Sequence, residues 1–273
     1  MTDRYAVIGS PIGHSKSPLI HGTFARALDQ DLEYIAIEGP LDAFAATVHA
    51  FRRAGGRGMN VTVPFKVQAF ALATVRLPRA QIAGAANALK FEGERILADN
   101  FDGIGLVNDI ERNLDVALTG KRVLLLGAGG AARGALLPLV AQNPRSVVIA
   151  NRTVEKAHVL AAEVASGGRV VGCGYADVID DGYDVVINAT SASLNGELPP
   201  VAPRVFGRDA LAYDMVYGKG LTPFLLLARN AGVKRLADGV GMLVEQAAEA
   251  FVWWRGVRPD TRTLIDSLRV TLV

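Results

Sequence analysis

The stretch Lys121–Thr153, KRVLLLGAGGAARGALLPLVAQNPRSVVIANRT, constrains this chain more than any other. Its apolar run from Val123 to Leu126 reads as a buried strand, and the turn Gly127-Ala128-Gly129-Gly130 follows at once. A helical pattern begins at Ala131, and a second apolar strand runs from Val147 to Ala150. Strand, glycine turn, helix and strand in this order form the context that a dinucleotide fingerprint requires. Gly127 permits the tight turn, and Gly129 lets backbone approach a pyrophosphate. Ala132, in place of a third glycine, still allows close helix–strand packing. The free amides at the helix start, from Gly130 and Ala131 onward, then face the phosphates. The plainer alternative is a glycine turn in an ordinary strand–helix–strand unit.

The end of the second strand indicates which dinucleotide. An NAD site carries Asp or Glu there, to accept hydrogen bonds from the ribose 2′-hydroxyl. This chain has Asn151-Arg152-Thr153, with Lys156 one turn on. A carboxylate would repel a 2′-phosphate, whereas Arg152 pairs with it. The residues favour NADP. Against this stands a solvated basic loop that merely starts the next helix.

With 273 residues the chain is long enough for one large or two medium domains. Half the residues are hydrophobic and 29 are glycine, which suits an α/β protein. A net charge of +2 offers no basic field for nucleic acid or an anionic membrane. One cysteine, Cys173, excludes an intrachain disulfide and a cysteine metal cluster, and it fits a reducing compartment. His14, His21, His49 and His158 lack metal-ligand spacing, so no metal is expected. The opening MTDRYAVIGSPIG lacks the basic flank and apolar core of a signal peptide. No apolar run approaches the ~20 residues of a membrane span. The expected location is the cytoplasm. The sequence leaves a homodimer open.

Along the chain, Tyr5–Ile8 reads as a strand, and Ser17-Pro18 as an N-cap with proline at the first helical position. Ser15 and Ser17 then stand at a helix start that favours an anion, although Ser17 could simply cap it. Leu32–Ile37 and Met59–Val63 read as strands, with a helix between them that Gly55-Gly56 stops. Asn60 and Thr62 make one face of the third strand's end polar, and Lys66 lies just beyond it. Strand ends of this kind bind ligands in open α/β sheets, but a lone lysine is more often surface charge. Ala85–Lys90 and Arg95–Asp99 read as a hairpin with Asn87 in its first strand. Asp102 precedes a helix from Ile104 to Asn113, where it could serve as an N-cap.

Further on, Val185–Asn188 and Leu211–Asp214 read as strands ending in Ala189-Thr190-Ser191 and Met215-Val216-Tyr217. Pro138 should kink the helix that contains it or force a local adjustment. Gly239 and Gly241 open a long helix to Arg255, and two glycines there allow a ligand to come close. Gln246, two turns in, serves either a ligand or a helix–helix contact. Pro259-Asp260 begins a last helix.

Taken together, these segments resemble the shikimate dehydrogenase family. The matching stretches are Gly9–Pro18, Asn60–Lys66, Gly84–Asn87, Asp99–Gly103, Gly127–Arg133, Asn151–Thr153, Asn188–Ser191, Asp214–Tyr217 and Asp238–Ala247. The resemblance implies an α/β fold of two domains flanking a cleft. Residues 1–104, completed by C-terminal helices in 239–273, would bind substrate, and a Rossmann-like domain, 105–238, would bind NADP. It implies an oxidoreductase that reversibly reduces 3-dehydroshikimate to shikimate with NADPH, on the chorismate route to aromatic amino acids. On this resemblance Ser15 and Ser17 bind the substrate carboxylate, while Thr62, Asn87, Tyr217 and Gln246 bind its ring hydroxyls. Lys66 is the catalytic proton donor or a fixed charge stabilising the alkoxide, and Asp102 orients it and contacts the same hydroxyl. Thr190, Ser191, Met215 and Gly239 border the ribose and nicotinamide.

Three positions depart from the family's usual pattern. Phe101 stands where the family has threonine, Ala88 where threonine follows the asparagine, and Gly22 where asparagine or glutamine follows the histidine. Phe101, beside Asp102, could alter substrate preference or affinity. A quinate/shikimate dehydrogenase and a catalytically silent NADP-binding relative are the rival readings. Asn151-Arg152 argues against the first, and the presence of Lys66 and Asp102 against the second.

Overall fold

A computed structural model describes residues 2–164, 167–179, 182–190, 192, 197–218 and 220–272. The chain divides into two compact units, Met1–Gly105 with Val244–Leu264, and Leu106–Leu243 with Ile265–Val273.

The first unit opens with β1 (Asp3–Gly9), α1 (Ser17–Ala27), β2 (Leu32–Glu38), α2 (Phe44–Arg53) and β3 (Gly56–Val61). It continues with α3 (Lys66–Leu72), β4 (Val75–Arg76), α4 (Pro78–Ala83), β5 (Ala88–Glu92) and β6 (Arg95–Asp99). The strands form one mixed sheet in the order β2-β1-β3-β5-β6-β4. β1 pairs parallel with β2 and β3, and the β5–β6 hairpin joins antiparallel to β3. Ile8, Met59, Phe65 and Leu89 are buried completely in its core.

Helix α5 (Asp102–Asn108) leads into a π-helical turn, Asp109–Asn113, and then the second sheet. Its elements are β7 (Arg122–Leu126), α6 (Gly130–Ala141), β8 (Ser146–Ala150), α7 (Val154–Ala162), β9 (Val170–Cys173) and β10 (Tyr183–Asn188). After these come β11 (Phe206–Asp214), α8 (Pro223–Asn230) and β12 (Arg235–Ala237). All pairs are parallel, in the order β9-β8-β7-β10-β11-β12. Numbered from β7 this is 3-2-1-4-5-6, the doubly wound dinucleotide-binding order, whose switch point lies between β7 and β10. Val123, Leu124, Leu125 and Leu126 are all fully buried, because a parallel sheet covered on both faces needs continuous apolar strands. The chain ends with α9 (Val240–Arg255) and α10 (Arg262–Leu272).

Several local expectations shift. Helix α1 begins at Ser17 itself, so Ser17 is not its N-cap; the Ser17 amide donates to Ser15 Oγ instead, at 3.3 Å. β3 ends at Val61 rather than Val63, because the chain turns there, with the Phe65 amide on the Thr62 carbonyl. The first hairpin strand starts at Ala88, which leaves Asn87 one residue before it. Asp102 begins α5 rather than preceding a helix at Ile104, and that helix closes as a π turn. Pro138 lies inside α6, which runs on to Ala141. α10 starts at Arg262, where Asp260 Oδ1 accepts the Arg262 amide at 3.1 Å. Residues 239–243 and those from Ile265 on group with the second unit, whereas the sequence suggests that the helices in 239–273 complete the first. No helix among the described residues is long and apolar enough to cross a membrane, and no group of ligating side chains among them could hold a metal ion.

Candidate active site

In the first unit, Lys66 starts α3 and Asp102 starts α5. Lys66 Nζ donates to Asp102 Oδ2 at 2.6 Å, with side chains 31% and 16% exposed. Asn87 Nδ2 donates both to Asp102 Oδ1, at 2.8 Å, and to Gln246 Oε1, at 3.2 Å. Asn87 Oδ1 in turn accepts the Phe101 amide at 2.9 Å. Four residues from distant parts of the chain therefore form one hydrogen-bonded cluster. An ammonium and a carboxylate this close can move a proton to or from a bound oxygen, and the two amides can bind neutral hydroxyls.

Ser15 and Ser17 sit at the start of α1, and Ser17 is 7% exposed. The loop before them is fixed by Glu38, which accepts the Ser10 hydroxyl at 2.7 Å and the Ile12 amide at 2.8 Å. Those two bonds hold the Glu38 carboxyl below its usual range. Thr62 lies just past β3, its amide on the Ile8 carbonyl at 3.0 Å.

Behind this face lies a polar layer that the sequence reading did not single out. Tyr34 Oη donates to Asn60 Oδ1 at 2.7 Å, and Asn60 Nδ2 donates to the Asn87 carbonyl at 3.3 Å. The His21 imidazole stacks on Tyr34 with centroids 4.2 Å apart and planes 5° from parallel. Burial pushes His21 down to about 3, against a smaller opposing interaction with Asn60, so the ring is neutral. Burial also pushes the Tyr34 phenol well up, opposed by the Ser17 hydroxyl. Asn60 was visible as the residue sharing Thr62's strand face; Tyr34 left no local signal.

Phe101 is 2% exposed and packs with Ala88, Ala250, Ile104 and Trp253. It is a core residue. Its ring is packed against protein, so an effect on substrate preference or affinity would act through Asp102 beside it.

In the second unit the glycine turn follows β7 at the sheet's switch point. Gly127 has φ +104°, a left-handed conformation that favours glycine. A Cβ built on Gly129 or Gly130 meets nothing within 4 Å, so open space faces the turn. No side chain caps α6 at Gly129, which leaves its first amides available to phosphate oxygens. These features fit a dinucleotide pyrophosphate. Asn151 Oδ1 accepts the Ala128 amide at 3.2 Å, and Asn151 Nδ2 donates to the Thr153 carbonyl at 2.8 Å. Arg152, Thr153 and Lys156 are exposed beside it, and the first turn of α6 has no acidic residue, so the local charge suits a 2′-phosphate.

At the end of β10, Asn188 Oδ1 accepts the Thr190 hydroxyl at 2.7 Å, and Asn188 Nδ2 donates to Asp214 at 3.1 Å. Asp214 also accepts the Thr222 hydroxyl at 2.6 Å. These buried bonds pin the loops carrying Thr190, Met215 and Tyr217. Burial, then the Asp238 carboxyl, pushes the Tyr217 phenol up, so it stays neutral. Ser191 lies outside the described residues. The glycines opening α9 have close protein neighbours: a Cβ on Gly239 would strike the Met215 carbonyl, and one on Gly241 the Asp109 carboxylate.

Family models match this chain in three pieces. The shikimate dehydrogenase substrate binding domain covers residues 7–89, shikimate / quinate 5-dehydrogenase covers 109–195, and the shikimate 5′-dehydrogenase C-terminal domain covers 239–269. A shikimate dehydrogenase (NADP+) of Nitrosospira multiformis is 56% identical over 272 residues, covering 100% of this chain and 99% of its own. That of Aromatoleum aromaticum is 57% identical, covering 98% and 97%. The crystal structure of an Ael1 enzyme from Pseudomonas putida is 62% identical, with TM-score 0.95 and 98% of each chain covered. A Thermus thermophilus shikimate 5-dehydrogenase solved with NADP(H) and shikimate is 31% identical, with TM-score 0.85, covering 99% of this chain and 100% of its own. With full-length relatives at this identity and all three family segments in order, the chain belongs to the shikimate dehydrogenase family.

Proposed function

We infer that the protein is an NADP-dependent oxidoreductase that reversibly reduces 3-dehydroshikimate to shikimate with NADPH, in the chorismate route to aromatic amino acids. The observation that carries this reading is the Lys66–Asp102 pair at 2.6 Å, tied through Asn87 to Gln246.

In this reading the first unit, up to about residue 104, holds the substrate, and the glycine-turn unit, 105–238, holds NADP. Ser15 and Ser17 donate to the substrate carboxylate, with the positive end of α1 in support. Thr62, Asn87, Gln246 and Tyr217 bond the ring hydroxyls. A site built this way rejects analogues that lack those hydroxyls, because its polar groups would be left unpaired. When bound, the dinucleotide supplies the hydride for the carbonyl carbon. Lys66 gives its proton to the carbonyl oxygen and takes it back in the oxidative direction, and its charge stabilises the oxyanion meanwhile. Asp102 holds the Lys66 ammonium on that oxygen and accepts from the same hydroxyl. Gly127, Ala128, Gly129, Gly130 and Ala131 receive the pyrophosphate. Arg152 and Lys156, with Asn151 and Thr153, receive the 2′-phosphate. Thr190, Met215 and Gly239 line the nicotinamide end. A cytoplasmic location belongs to the same proposal, supported by the free Cys173.

Nicotinamide absorbance, followed with shikimate and quinate, each with NADP and with NAD, tests the reading. NADPH formed from shikimate is the expected result. NADH formed from quinate at a comparable rate overturns the substrate and cofactor assignment, and no turnover with either acid overturns the enzyme assignment.

A further inference from the structure

A carboxylate in the first turn of a helix is drawn to the helix's own unsatisfied amides. Asp102 is the first residue of α5, yet its oxygens are bonded to Lys66 and Asn87. The Asp102 amide goes elsewhere: it donates to Asn100 Oδ1 at 3.1 Å. Asn100 is 3% exposed, and its Nδ2 donates to the Ala85 carbonyl at 3.1 Å. Its own amide donates to Asp99 Oδ1 at 2.8 Å. Asp99 is fully buried and takes both Arg79 Nε, at 3.2 Å, and a second Arg79 nitrogen. The segment carrying Asp102 is thus held from one side by Asn87, through the Phe101 amide, and from the other by Asn100, itself fixed to the buried Asp99 carboxylate.

We propose that Asn100 is a positioning residue for the Lys66–Asp102 pair: it takes over the amide at the start of α5, so that the Asp102 carboxylate is left for Lys66 and the substrate. The proposal rests on the catalytic reading of that pair. Without the Asn100 acceptor, the Asp102 carboxylate is itself able to satisfy an α5 amide, and its rotation toward the helix withdraws it from Lys66. Ser is the conservative replacement, since a hydroxyl accepts a backbone amide two residues on in the same way.

The test is a cycle of Asn100→Ala and Asp102→Ala in the full chain, read as kcat/KM for shikimate oxidation, with NADP affinity and the unfolding midpoint as controls. Asn100→Ala is expected to cost about tenfold or more alone, and less than about twofold in the Asp102→Ala background. A structural role alone would lower activity equally in both backgrounds. Equal losses, or no loss, while Asp102→Ala by itself is impaired, overturn the proposal and leave the catalytic reading standing. Asp102→Ala turning over like the parent overturns the catalytic reading, and the proposal with it. Asn100→Ser is expected to stay within about fivefold of the parent. A larger loss in a Ser variant with native NADP affinity and unfolding midpoint overturns the acceptor role, even if the Ala variant does not fold.

Discussion

The Arg79 guanidinium lies over the ring of Phe101, 5.1 Å from its centroid, while Trp253 meets the same ring edge-on at 5.5 Å. The aromatic side chain next to Asp102 therefore joins the half-buried Arg79–Asp99 pair to Trp253 of α9. Phe101→Thr, which restores the residue usual in the family, is expected to cost about 3 kcal/mol of stability through lost packing. The KM for shikimate should stay within about twofold, since the ring is 2% exposed. Urea unfolding and steady-state kinetics check this together. A tenfold change in KM with unchanged stability would return Phe101 to the substrate site.

Lys66→Ala is expected to lower turnover by roughly 10²-fold or more while shikimate still binds. Asp102 then loses the partner it holds at 2.6 Å. Shikimate binding measured by calorimetry, beside kcat, separates the two effects. Unchanged kcat would remove Lys66 from the reaction.

Arg152 is exposed at the end of β8, where a 2′-phosphate would lie. Arg152→Ala should weaken NADP binding by about tenfold or more, the worth of one charge-assisted pair, and NAD binding by less than about twofold. Equal losses for both dinucleotides would sink the 2′-phosphate assignment.

His21 makes acid a direct threat to the fold. Its folded pKa, about 3, lies below the ordinary imidazole value of 6.5 because burial penalises the cation. As pH falls through 6.5 the unfolded chain takes up a proton that the folded chain refuses, so stability drops, and the loss builds until about pH 3. Between pH 7 and pH 5 this group should account for about 2 kcal/mol. His21→Phe keeps a ring against Tyr34 and removes the proton site. Urea unfolding at both pH values should show a smaller drop for the variant. Identical drops would exclude His21 as the source.

Much of this architecture could be read from local residue patterns. The glycine turn after β7 is a contiguous signal, and the polar end of β3 was apparent from the alternation of Asn60 and Thr62. Other features depend on partners far away in sequence. Asp102 reads locally as a helix cap or as a site carboxylate, because the two share one residue type; the bonds of its oxygens to Lys66 and Asn87, and of its amide to Asn100, separate them. Ser17-Pro18 suggested a cap one residue too late, since Ser15 accepts the amide. Gly239 and Gly241 suggested ligand approach; a Cβ there would also strike Met215 and Asp109, and neither partner is near in the chain. The Tyr34–His21 layer is a meeting of β2 with α1 that no spacing rule announces.

Asn151 stands between two tasks that selection can change separately. Its oxygen ties down the Ala128 amide in the glycine turn, while the neighbouring exposed Arg152 carries the charge proposed to select the dinucleotide. An aspartate at 151 would keep that acceptor and give up only the bond to the Thr153 carbonyl. It would also bring the carboxylate that NAD sites use. The phosphate cradle can therefore outlast a change of cofactor, and the mutational path between the two dinucleotides is short.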